Sequence, residues 1–171
     1  MSTRRKRRTR KASSAATRRL FRRIVLAVDG SKSSQHATKA AMQIARNSRA
    51  ELIVTSVVQP PNYMYSPNLV APAPAPGLAP MLPLPVYREG TKRAERLVER
   101  TARTKEKIKV KKKVLKAEAS VAGAITDYAA AQKADLIVVG TSSVGGLKRF
   151  VLGSVSNSVV NNAKTSVLVV R

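Results

Sequence analysis

Five short apolar runs, separated by segments of helical period, constrain this chain more than any other feature. Ile24-Val25-Leu26-Ala27-Val28 and Leu52-Ile53-Val54-Thr55-Ser56-Val57-Val58 are continuous rather than alternating, as strands buried on both faces are. Leu136-Ile137-Val138-Val139 runs from Asp135 to Gly140, and Ser166 to Val170 forms the last run. Val110 to Ala117 alternates less cleanly; its Val and Leu predict a strand, and Lys111, Lys112 and Lys113 suit a sheet edge, where charge blocks unwanted pairing.

Between these runs the period changes. From Ser33, the residues Ala37, Ala40, Ala41, Ile44 and Ala45 recur at helical spacing, with Ser33 or Ser34 as the cap and a turn near 47–50. Tyr87 to Ile108 predicts an amphipathic helix with Ala94, Leu97, Val98, Thr101 and Ala102 on one face. Val121 to Ala131 and Ser154 to Ala163 predict two more helices. Strict alternation of strand and helix means a parallel sheet with helices on both faces and right-handed crossovers. Ligands of such sheets sit at the strands' C-terminal ends, where the winding direction reverses.

The formal charge of +24 is unevenly spread. Residues 1–23 hold 11 Lys/Arg and no acid, and residues 88–116 hold 13 basic and 4 acidic residues. Residues 1–22 are too charged and too poor in apolar side chains to offset their ordering entropy, so they read as a disordered arm preceding a domain at 23–171. Such an arm is a sequence-blind tether for nucleic acid or another polyanion through residues 2–23, with charge but no base stacking before Phe21. All nine prolines lie between Pro60 and Pro85, which predicts an extended, non-helical loop at about 59–87.

Other classes are excluded by what the chain lacks. No cysteine means no disulfide and no Cys-ligated zinc, and one histidine, His36, is too few for a metal site or a histidine-dependent triad; it reads as a helix surface residue. No apolar run approaches the roughly 20 residues of a membrane span, and the basic N-terminus lacks the apolar segment of a signal peptide, so the expected location is cytoplasmic. No nucleophile–base constellation can be assembled, so binding rather than catalysis is expected.

The most pointed functional signal is the stretch after Val139: Gly140-Thr141-Ser142-Ser143, then Gly145-Gly146, then Gly153-Ser154 opening a helix. Backbone N–H groups converging at a glycine-punctuated loop and a helix N-terminus are a seat for phosphate. Asp29-Gly30-Ser31 closes the first strand in the same way.

Val28-Asp29-Gly30-Ser31, Asp135 to Gly140, and Gly145-Gly146-Leu147-Lys148-Arg149 to Gly153-Ser154-Val155-Ser156, closing on Val167 to Arg171, resemble the universal stress protein domain over about residues 22–171 apart from the proline segment. The resemblance implies an adenine nucleotide alpha hydrolase-like fold: three-layer, doubly wound α/β with a parallel five-stranded sheet of order 3-2-1-4-5, often dimerising through its last strand, here 166–170. It also implies a motif of Gly, two residues, Gly, nine residues, Gly, then Ser or Thr. Gly140, Gly153 and Ser154 keep that spacing, and Ser143 stands where the second glycine belongs. A serine there adds a Cβ that penalises positive φ while still offering an N–H and a hydroxyl.

By the same resemblance the ligand is ATP or AMP, with Mg2+ bridging its phosphates. Asp29 would contact the ribose hydroxyls or the metal, Val57 would offer its backbone to adenine, and Ala27 and Val28 would wall the base. Val139, Gly140, Thr141 and Ser143, with Gly153, Ser154, Val155 and Ser156, would hold the phosphates. The expected function is a small regulatory domain that binds adenine nucleotide between the ends of the first and fourth strands, with at most slow ATP hydrolysis. The alternative is a nucleotide-free member of the fold whose basic arm and lysine-rich edge bind nucleic acid or an acidic partner.

Overall fold

Residue parity along each strand decides which helix a side chain meets. The computed structural model describes residues 20–59, 84–104, 107–141 and 152–171. In them nine elements alternate: β1 (Arg23–Ala27), α1 (Lys32–Ser48), β2 (Glu51–Val58), α2 (Leu84–Ala102), β3 (Val110–Lys116), α3 (Val121–Ala131), β4 (Leu136–Gly140), α4 (Ser154–Asn162) and β5 (Ser166–Val170). All neighbouring strands are parallel, in the order β3-β2-β1-β4-β5. The expected sheet is therefore the observed one.

Even positions of β1, Ile24 and Leu26, join Leu52, Val54, Leu136 and Val138 beneath α1 and α2, where Ala37, Ala41, Ala45 and Val98 meet them. The odd position Val25 joins Ile53, Ile137 and Val139 under α3 and α4, against Ala122, Ile125, Ala129 and Val159. The central strands are thus buried on both faces, which is why their runs carry no polar alternation. Each fully buried Ile, Leu or Val contributes about 1.5–3 kcal/mol relative to exposure. The fully buried hydroxyl of Thr55 donates to the carbonyl of Leu26 at 3.1 Å and so costs little to bury.

Several boundaries differ from those the sequence predicts. The cap of α1 is Ser31, not Ser33 or Ser34: its hydroxyl accepts from the Ser34 N–H at 3.1 Å, and the helix runs on to Ser48. Helix α2 begins at Leu84, so the loop expected at 59–87 ends earlier; Pro85 falls in the first turn, where no N–H is required of it. The same helix stops at Ala102 rather than Ile108. Residues 1–19 and 60–83, which hold nearly all of the arm and of the proline segment, lie outside the described residues.

The lower ends of the strands are tied by two carboxylates. Asp135 Oδ2 accepts from the backbone N–H groups of Arg22 and Arg23 at 2.7 and 2.8 Å, fastening the start of β1 to that of β4. Glu51, nearly buried, lies 3.0 Å from Arg23, 2.9 Å from Lys109 and 3.2 Å from Lys111. Hydrogen bonding to Lys109 outweighs burial and, with Lys111 and Arg23, holds its carboxyl down at about 2. The edge lysines are thus partly engaged inside the chain, since Lys112 also pairs with Glu99 at 2.6 Å.

Candidate functional site

At the upper end of the sheet, where β1 winds one way to β2 and the other way to β4, lies a crevice of about 530 Å³. Its floor is the C-terminal ends of three strands: Ala27 and Val28, Val57 and Val58, and Val139 and Gly140. One wall is α2, through Gly90, Arg93, Ala94 and Leu97; the other is the first turns of α3 and α4, through Val121, Ile125, Ser154 and Val155. Asp29, Ser34, Ser56 and Gln59 supply polar groups at the rim. The chemistry offered is an apolar slot of base size with hydroxyls, one carboxylate and one guanidinium around it.

The expected site residues divide into three groups. Ala27, Val28, Asp29, Val57, Val139, Gly140, Ser154 and Val155 all line this crevice. Thr141, Gly153 and Ser156 are beside it but not in its lining: the Thr141 N–H donates to Val170 at 2.8 Å, and the buried Ser156 hydroxyl donates to the Gly153 carbonyl at 3.0 Å. Ser143 lies outside the described residues. Ser34, Ser56, Gln59 and Arg93 were not anticipated. Gly90 was the available signal, because a glycine inside a helix is costly and here no close contact requires it: an added Cβ would meet only Val58 Cγ1 at 3.8 Å.

Local geometry explains how the rim is held. Gly30 has φ +86°, which only glycine takes without strain, and this turn swings the chain from β1 into α1. Asp29 Oδ1 accepts the Ser31 N–H at 2.9 Å, fixing the turn, so the carboxylate is both a turn brace and a rim group. Pairing of β1 with β2 ends at Ala27–Thr55, and the Thr55 carbonyl accepts from Val28 at 2.8 Å. Carbonyls alternate in direction along a strand, so that of Val57 points to the same side, past the end of β1 and toward the crevice.

The three helix N-termini near the crevice differ in one respect. Ser31 caps α1, and Ser120 caps α3 with its hydroxyl 2.9 Å from the Gly123 N–H. Helix α4 starts at Gly153, which has no side chain, and among the described residues no side chain caps it. Its first N–H donors therefore face the crevice mouth with the positive end of the helix dipole behind them.

The universal stress protein family profile matches residues 20–171. The chain belongs to the universal stress protein family. A family member from Methanocaldococcus jannaschii is 35% identical over 153 residues, covering 89% of this chain and 83% of that protein. Among solved structures, the universal stress protein UspA from Lactobacillus plantarum is 27% identical, with a TM-score of 0.63 over 88% of this chain and 98% of its own. A universal stress protein crystallised in complex with cAMP is 28% identical, with a TM-score of 0.54 over 89% of this chain and 98% of its own. The adenine nucleotide alpha hydrolase-like fold inferred from the sequence is the fold of these neighbours. Among the described residues no helix is long and apolar enough to cross a membrane, and no cluster of metal-ligating side chains is present.

Proposed function

We propose that this universal stress protein domain is a regulatory module that binds an adenine nucleotide, ATP or AMP, in the crevice between β1 and β4. The observation that carries the reading is the open N-terminus of α4. Two of the three helices are capped by their own serines, while α4 leaves its donors at the crevice wall beside Ser154 and Val155. An anion there gains N–H hydrogen bonds and the helix dipole together. The apolar slot formed by Ala27, Val28 and Val57 suits the base, and the Val57 carbonyl suits an exocyclic amine. The related protein bound to cAMP supports the choice of adenine.

Asp29 is the one carboxylate in the crevice lining among the described residues, and Arg93 the one cation. A Mg2+ ion takes one or two carboxylates plus phosphate oxygens, so Asp29 fits a magnesium–nucleotide complex as its single protein ligand. Bound magnesium would offset phosphate charge; Asp29 itself orients the ribose or the ion while its other oxygen keeps the turn. With no second base in the lining, hydrolysis is slow at most.

A second copy pairs along β5 in this reading. The Val170 carbonyl faces β4, so the backbone groups of Val167 and Val169 face outward from the sheet edge. The nucleotide-free alternative loses ground at its proposed lysine edge, where Lys111 and Lys112 are already paired to Glu51 and Glu99. Mass spectrometry of ligand released from the purified full chain tests the proposal: adenine nucleotide supports it, and an empty protein that gives no calorimetric response to millimolar ATP, AMP or cAMP refutes it.

A further inference from the structure

The end of the sheet opposite the crevice collects cations from every strand entry. Register places the residues before each strand side by side, in the order Lys107 and Lys109 (β3), Arg49 (β2), Arg22 (β1), Lys133 (β4) and Lys164 (β5). All six are exposed. The two acids at this end, Glu51 and Asp135, are spent on Arg23, Lys109, Lys111 and the backbone of β1. Five of the six side chains, all but that of Lys109, make no ion pair with another described residue. Five strands about 4.8 Å apart make the row about 19 Å long.

Two of these cations stand where the backbone favours glycine. Arg49 and Lys133 both have φ +52°, and they are the only non-glycine residues with positive φ among those described. In each case the next residue's N–H bonds the carbonyl five positions back, Ala50 to Ala45 and Ala134 to Ala129, the helix-ending turn in which glycine is most at ease. Keeping a long cation at both such turns, after α1 and after α3, accepts backbone strain at equivalent places on one end of the molecule. Strain retained at matched positions points to a use for the side chain.

We propose that this end is a binding face for the phosphate backbone of double-stranded nucleic acid. A row of separated charges about 19 Å long matches a charged rod that presents one phosphate per roughly 3.4 Å along each strand. Among the described residues no aromatic platform for single strands stands at this end, since Phe21 and Tyr128 pack against the two cores. Of the exposed large apolar residues among those described, Leu20 and Val160, the latter in the last turn of α4, reach this end, too little for the apolar centre of a protein–protein interface. The segment 1–19, with nine Lys/Arg and no acid, is joined to the chain at this same end. Nucleotide site and polyanion face then occupy opposite poles.

Fluorescence anisotropy of short labelled DNA and RNA duplexes with the full chain, over a series of salt concentrations, tests this. The triple variant Arg49→Gly, Lys133→Gly, Lys164→Ala should lower the slope of log affinity against log salt by about 3, and weaken binding on the order of 100-fold at 0.1 M salt. Its thermal midpoint should stay or rise, because the two glycines relieve positive φ. The variant Arg49→Asn, Lys133→Asn, Lys164→Gln, equally neutral and tolerant of this backbone, should behave alike. An unchanged slope in either variant, no duplex binding by the parent chain, or displacement of duplex by poly-glutamate at equal charge would overturn the proposal, the last assigning the face to an acidic protein.

Discussion

A Cβ placed on Gly140 would stand 2.7 Å from the carbonyl carbon of Ser33, and equally close to the nitrogen of Ser34. The end of β4 and the first turn of α1 therefore touch backbone to backbone, and this contact closes the floor of the crevice beneath Asp29. Gly140 is needed for packing whether or not it also borders a phosphate.

Replacing Gly140 with alanine should cost about 1–3 kcal/mol, since the atoms it meets are backbone and cannot swing away. Urea denaturation reads this as a lowered midpoint with an unchanged slope. A wild-type midpoint would mean that α1 shifts freely, and would weaken the account of the crevice floor.

Acid should loosen the lower end of the sheet. Glu51 sits at about 2 in the fold against an ordinary value of 4.5, so its stabilising effect is complete above about pH 4.5 and is lost as pH falls from there toward 2. The lysine heads around it are half or more exposed, which limits the effect to about 1–2 kcal/mol. Glu51→Gln should lower stability at pH 7 and flatten the decline between pH 4.5 and 2, as followed by denaturation at a series of pH values. Parallel pH profiles for the two proteins would contradict the assignment.

Asp135→Ala should orphan two backbone N–H groups that its Oδ2 satisfies, at a cost of about 1–3 kcal/mol. Hydrogen exchange at Arg22 and Arg23 should quicken with it. Unchanged protection there would show that β1 is held by other means.

Self-association should depend on backbone donors at the open edge. Val169→Pro removes an outward N–H while sparing the ladder to β4, and proline is tolerated on edge strands. Light scattering should give a dimer for the parent chain and a monomer for the variant; a monomeric parent refutes pairing along β5.

Much of this architecture is readable before any coordinates. Continuous apolar runs marked β1, β2 and β4 to within a residue or so, because burial on both faces leaves an unmistakable composition; the edge strands β3 and β5, and Val121 to Ala131, were also bounded to within a residue. The cap of α1 was ambiguous because Ser31, Ser33 and Ser34 all carry hydroxyls, and only the turn set by Gly30 decides among them. The start of α2 was hidden by Pro85, which forbids a helix interior yet suits a first turn. Pairings such as Lys111 with Glu51 join distant segments and have no local signature. In the site, strand-end residues were legible because the fold class dictates where ligands sit, whereas Arg93 depends on the rotation of α2 about its own axis.

The central claim concerns the open donors of α4, and Ser154→Pro isolates them. Gly153 has φ −60° and ψ 156°, the extended conformation proline demands of its predecessor, and proline is at home in the first helical position. The variant should keep its thermal midpoint and lose the Ser154 N–H together with the hydroxyl, whose separate share Ser154→Ala measures. Titration calorimetry with ATP should then show affinity falling about tenfold or more, the value of one hydrogen bond to a charged group. Equal ATP affinity for the parent and Ser154→Pro would contradict phosphate binding at the N-terminus of α4.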